Sequence, residues 1–184
     1  MQTRELFQLD LSMHYNFLSQ DTDVVWFRDP FPHLYPDVDF QTSCDAFNGN
    51  TTDLSNAPNV GFKFIRSNNR TIKLYKFWVA SRWKYPNLHE QDVFNQIKHR
   101  STFKKIGVSF RFLDTDYFGG FCSPSKDFNK VCTMHANCCK GLGKKIADLN
   151  AILEDWRMYV NVSSTTNTTI ETYWRAPNRC RIWD

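Results

Sequence analysis

Short runs rich in aromatic and β-branched residues alternate along this chain with segments whose apolar residues recur at helical spacing. Few layer architectures accommodate that order, and the one it favours is α/β. Tyr15–Leu18 reads as a short strand and Val24–Phe27 as a buried one. Asp29-Pro30-Phe31-Pro32 and Pro36 turn the chain into an extended loop. Phe40–Cys44 reads as a strand, and residues 48–58, polar and ending at Pro58, as a surface loop. Asn59–Ile65 reads as a strand through Val60, Phe62 and Phe64. Gly61 inside it signals close approach by a ligand or another backbone. Ser67-Asn68-Asn69 supplies cap residues for a helix to about Trp83, with Leu74, Phe77, Trp78 and Ser81 on one face. Glu90–Lys98 is a second helix, and Ile106–Leu113 alternates as a strand. A Cys-rich loop over 119–143 follows, then a helix Lys144–Met158 with Ile146, Leu149, Leu153 and Trp156 on one face. Residues 4–13 are read as helical and 161–184 as an irregular tail. With no internal repeat and no boundary, residues 1–184 form one domain, a length that supports a sizeable core.

A net charge of +4 is compatible with anionic ligands without demanding nucleic acid. The basic, aromatic stretch Lys63–Tyr85 is better explained by an amphipathic helix with Lys73 and Lys76 on its wet side. Six cysteines permit disulfides without giving their pairing. Asn50, Asn69, Asn161 and Asn167 each open an Asn-x-Ser/Thr acceptor triplet. Together these point to a secretory-pathway lumen, although no apolar run long enough for a leader or a membrane span follows Met1.

The chemistry-bearing candidate is Asp21-Thr22-Asp23, directly ahead of Val24-Val25-Trp26-Phe27. Two carboxylates two residues apart can present oxygens to one hard divalent ion, Mn²⁺ or Mg²⁺. The same triplet recurs at Asp114-Thr115-Asp116, so spacing alone does not identify a site. Cys132, His135 and Cys138 have a spacing that also suits zinc.

Several separated segments carry a resemblance. They are Asp21–Pro30, Ser43-Cys44-Asp45, Asn59-Val60-Gly61-Phe62, Ser67–Thr71, Glu90–Asn95, Phe112–Thr115 and Thr133–Cys139. In this order, over roughly residues 15–160, they resemble the plant nucleotide-diphospho-sugar transferases. The resemblance implies a GT-A type, Rossmann-like α/β fold and retaining transfer from a nucleotide sugar, such as a UDP-sugar, to a polysaccharide or glycoprotein. It implies Asp21, Asp23 and His135 as ligands of Mn²⁺ or Mg²⁺, and Asn59 and Gly61 beside the donor sugar. Glu90-Gln91 fall where many relatives carry Asp-Gln near the reacting carbon. Glu90 is one methylene longer than Asp, so Asp92 is the spare candidate. Lys140, Lys144 or Lys145 would meet the diphosphate.

Relatives of this kind reside in the Golgi. They carry a membrane anchor and a nucleotide-binding half ahead of the acidic pair, a half of about 100 residues, where this chain has 20. The expectation is therefore a domain incomplete at its N-terminus. Two further readings stand beside an active transferase: a catalytically impaired remnant of one, and a zinc-stabilised binding module.

Overall fold

A computed structural model describes residues 15–163 and 173–180. The strands are β1 (Phe17–Gln20), β2 (Val24–Trp26), β3 (Phe40–Ala46), β4 (Ala57–Ile65), β5 (Phe110–Phe112), β6 (Phe118–Gly120) and β7 (Thr133–His135). The α-helices are α1 (Asn69–Ser81), α2 (Glu90–Ile97), α3 (Ser101–Ile106) and α4 (Leu142–Ser163). The helix read at 4–13 and the Asn167 triplet lie outside the described residues.

The strands form two sheets, ordered β1-β4-β3-β5 and β2-β7-β6. In the first, β4 pairs antiparallel with β1 and β3, and β5 runs parallel to β3. The helical segment α1–α3 is the crossover that returns the chain beside β3. In the second, β7 is antiparallel to β2 and parallel to β6.

Helix α1 begins where the sequence placed it. The Asn68 side chain accepts from the N–H groups of Arg70 and Thr71, and the Thr71 side chain accepts from the Asn68 N–H, a complete capping box. Its buried face carries Leu74, Tyr75, Trp78 and Ser81. Leu74, Tyr75 and Trp78 meet Phe40, Phe94, Phe103, Phe110 and Ile65 in an aromatic core between the helices and the first sheet. Ring pairs such as Phe40–Phe94 (5.4 Å) and Trp78–Phe94 (4.7 Å) add specific packing to area burial.

Three local readings are corrected. Strand β4 starts at Ala57, so Pro58 lies buried within it rather than in a loop. The ladder shifts register between Cys44 and Ala46, opposite that point, where a residue without an N–H is tolerated. The strand expected over Ile106–Leu113 shrinks to Phe110–Phe112, because α3 runs to Ile106 and ends on Gly107 at φ 70°. The Cys-rich stretch is not all loop, since it contains β6 and β7.

Helix α4 buries the expected face only in part: Leu149 and Trp156 pack against the core around Val131, Met134 and Ile152, but the fully buried positions are others. Asp148, Ile152 and Asp155 are buried, while Ile146 is exposed. The carboxylates are tolerated because each is fully engaged. Asp148 accepts from the N–H groups of Asn178, Arg179 and Cys180, and Asp155 accepts from the Arg175 guanidinium and backbone N–H. Disulfides join Cys122 to Cys138 and Cys139 to Cys180, and Cys44 and Cys132 are free and buried. No helix among the described residues is long and apolar enough to cross a membrane.

Candidate metal centre

The three residues Asp21-Thr22-Asp23 are the whole connection between β1 of the first sheet and β2 of the second. The Asp21 N–H donates to the Gly61 carbonyl on β4 (2.7 Å), and the Ala136 N–H donates to the Asp23 carbonyl (3.0 Å). The backbone of the acidic pair is thus tied to both sheets. On β7, whose His135 stands opposite Val24, the imidazole Nε2 lies 3.2 Å from Asp23 Oδ1 and 3.6 Å from Asp21 Oδ2. One donor atom from each of the three lies within 4.8 Å of the others. The side chains of His135 and Asp23 are 8% and 18% exposed and that of Asp21 is 61% exposed. The cluster is therefore walled on the protein side and open on the other.

Gly61 makes this convergence possible. A Cβ there would stand 2.5 Å from Asp21 Oδ2, 2.5 Å from His135 Cε1 and 2.9 Å from Asn59 Oδ1. The interior glycine read from the sequence as a sign of close approach is where Asp21 and His135 press on β4.

Lys145, in the first turn of α4, reaches in to donate to Asp23 Oδ2 at 2.6 Å. Burial pushes the Asp23 carboxyl up, but hydrogen bonds and charge from His135 and Lys145 outweigh it and hold Asp23 well below the usual carboxylate range. Asp23 is therefore an anion at neutral pH, as a metal ligand must be. The donor set of two carboxylates and one imidazole suits Mn²⁺ or Mg²⁺ and contains no thiolate to favour a softer ion. His135 Nδ1 is buried and has no hydrogen-bond partner among the described residues.

A second polar cluster adjoins the first through Asn59 and is centred on Asp45, at the irregular end of β3. Asp45 Oδ1 accepts from Asn59 Nδ2 (2.6 Å) and Asn137 Nδ2 (2.8 Å), and Oδ2 accepts from Gln91 Nε2 (2.8 Å). Each amide oxygen is in turn held by a backbone N–H. Gly61 donates to Asn59, Val60 to Gln91 and Cys122 to Asn137. All three amides are thereby locked in one orientation, and β3, β4, α2 and the segment after β7 meet at one carboxylate.

The expected residues separate accordingly. Asp21, Asp23, His135, Gly61, Asn59 and Gln91 come together. Glu90 and Asp92 do not join them in the described contacts: both are exposed at the start of α2, where Asp92 accepts from the His89 N–H. Lys140 and Lys144 are exposed, and of the three lysines Lys145 is the one that bonds Asp23. Asp45 and Asn137 were not singled out as site residues, though both lie in segments that carry the resemblance; their signal is a carboxylate and an amide placed among buried neighbours. Asp114 and Asp116 make a local turn instead. Asp114 accepts from the Asp116 N–H, and Asp116 pairs with Lys130. The zinc-like spacing does not assemble, because Cys138 is disulfide-bonded and the Cys132 thiol faces the Lys130 carbonyl.

Residues 3–149 match the family model described as nucleotide-diphospho-sugar transferase. An uncharacterized protein of Arabidopsis thaliana is 50% identical over 170 residues, covering 92% of this chain and 44% of its own length. The UDP-galactose:fucoside alpha-3-galactosyltransferase of Dictyostelium discoideum is 44% identical over 104 residues, covering 55% of this chain and 15% of that protein. A solved glycosyltransferase involved in glycosylation of the major capsid of PBCV-1 superposes with a TM-score of 0.51 at 15% identity, over 80% of this chain and 74% of the other. The mixed α/β fold is thus one found in glycosyltransferases. The chain spans less than half the length of the Arabidopsis relative.

Proposed function

The chain belongs to the nucleotide-diphospho-sugar transferase family, and on that premise we propose that it holds the ion and diphosphate of a nucleotide sugar, of the UDP-sugar kind, for retaining transfer to a polysaccharide or glycoprotein in the Golgi lumen. The observation that carries this reading is the convergence of Asp21, Asp23 and His135, two of which, Asp21 and His135, crowd a glycine with no room for a Cβ.

Asp21, Asp23 and His135 would hold Mn²⁺ or Mg²⁺, which when bound neutralises charge on a departing diphosphate. The open side at Asp21 leaves room for phosphate oxygens. Lys145 places an ammonium beside Asp23, where it adds a second positive centre for the same leaving group. Asp45 orients Asn59 and Gln91, whose remaining amide N–H groups offer fixed donors to sugar hydroxyls. Among the expected catalytic residues, the geometry favours Gln91, which is held in the network, over Glu90 and Asp92 at the exposed helix start. The two disulfides agree with an oxidising lumen.

Calorimetric titration with UDP in the presence and absence of Mn²⁺ tests the reading. Binding should require the ion and should weaken at least about tenfold, roughly 1.4 kcal/mol, in Asp23→Asn and in His135→Ala. Ion-independent binding, or equal affinity in both variants, would contradict it.

A further inference from the structure

Three of the four acceptor triplets fall within the described residues, and the structure sets one of them apart. Asn50 is exposed in the turn between β3 and β4, and its Oδ1 accepts from both the N–H (3.0 Å) and the hydroxyl (2.8 Å) of Thr52. Its Nδ2 has no hydrogen-bond partner among the described residues and stands at the surface. The acceptor amide and the hydroxyl of its triplet are therefore already in mutual contact, in a turn that has to unfold nothing to present them.

The other two are arranged differently. Asn69 is the first residue of α1, and the hydroxyl of its Thr71 is buried in the capping box, bonded to the Asn68 N–H and near the Arg66 carbonyl. Asn161 lies in the last turn of α4, where the Ser163 hydroxyl donates back to the Val160 carbonyl. In both, the hydroxyl is committed to the helix rather than to its asparagine.

We propose that Asn50 is an N-glycosylation site of this protein, occupied in preference to Asn69 and Asn161. The donor is a lipid-pyrophosphate-linked oligosaccharide. A bond forms between Asn50 Nδ2 and the anomeric carbon, the bond from that carbon to the phosphate oxygen breaks, Nδ2 loses one proton, and the lipid pyrophosphate leaves. The glycan has a structural consequence. The Thr51 carbonyl next to Asn50 accepts from the Phe112 N–H of β5 (2.8 Å), the terminal strand of the first sheet. A glycan on Asn50 stands over that edge and shields it from strand addition. The inference rests on the lumenal reading above, not on the metal site.

The test is peptide mapping of the full protein isolated from its own cells, after enzymatic glycan release in ¹⁸O-water, which converts each occupied asparagine to a labelled aspartate. Label at Asn50 in most copies, with less at Asn69 and Asn161, is expected. In the same cells Asn50→Gln and Thr52→Ala should each lose one glycan's worth of electrophoretic mass, and Thr52→Ser should retain it. Unlabelled Asn50 overturns the proposal. If Cys122–Cys138 and Cys139–Cys180 are nonetheless oxidised in that digest, the lumenal reading survives and only the site assignment fails. If all four are reduced, both fall.

Discussion

At the residue scale the site turns on positions where one atom decides the outcome. Gly61→Ala would drive a methyl into Asp21 and His135, so it should cost at least tenfold in Mn²⁺-dependent UDP affinity, read by calorimetry, with near-native circular dichroism. Asp39 is a structural counterpart, directly ahead of β3 and at the opposite end of that strand from Asp45. It is buried and accepts from Arg70 Nε (2.7 Å) and Nη2 (2.9 Å), Asn68 Nδ2 (2.6 Å) and the Ser109 N–H (2.9 Å). Burial pushes its carboxyl up, but the Arg70 guanidinium and the Ser109 and Asn68 donors prevail, drawing it from 3.8 to about 2. Since the folded value is the depressed one, this contribution to stability is fully present above the ordinary carboxylate value and is lost as pH falls towards about 2. Asp39→Asn should cost about 1.5–3 kcal/mol in urea unfolding at neutral pH, with a flatter acid limb between pH 4 and 2. Gly61 was legible in the sequence because an interior strand glycine needs a reason. Asp45 was not, because a carboxylate after a strand does not announce that three amides from distant segments will converge on it.

At the element scale α4 shows what periodicity misses. Its apolar residues pointed to a face through Ile146, Leu149, Leu153 and Trp156; Leu149 and Trp156 do pack on the core, but the fully buried positions beside them are Asp148, Ile152 and Asp155. The reason lies some 20–30 residues away in sequence, in the N–H groups and guanidinium of residues 175–180 that need anionic acceptors. That segment, with the Cys139–Cys180 disulfide, fixes the helix that carries Lys145 to Asp23. Asp148→Asn removes one acceptor oxygen and turns an amide donor towards N–H groups. It should lower stability by about 2–3 kcal/mol in thermal unfolding. Lys145→Met leaves the carboxylate partners of the tail intact. It should weaken UDP binding several-fold with little change in melting. Helix α1, in contrast, was legible almost to the residue, because its cap and its apolar face are both local.

At the scale of the whole molecule, two sheets are joined at an acidic turn, and the candidate ion would sit at that join. Asp21 and Asp23 flank the crossing, Gly61 belongs to the first sheet and His135 to the second. The α/β class was legible from alternating periodicities, whereas the division into two sheets was not, because β2, β6 and β7 have three residues each. An ion bound there favours the folded state by mass action. Mn²⁺ at 100 times its Kd should stabilise the chain by about 2.7 kcal/mol, seen as a raised melting midpoint that Asp23→Asn abolishes. The most direct test of the central claim is an electron paramagnetic resonance titration of Mn²⁺ against the chain. The account predicts one tight site, lost in both Asp23→Asn and His135→Ala and perturbed by UDP. A site that survives both substitutions, or saturation without any tight Mn²⁺, would contradict it.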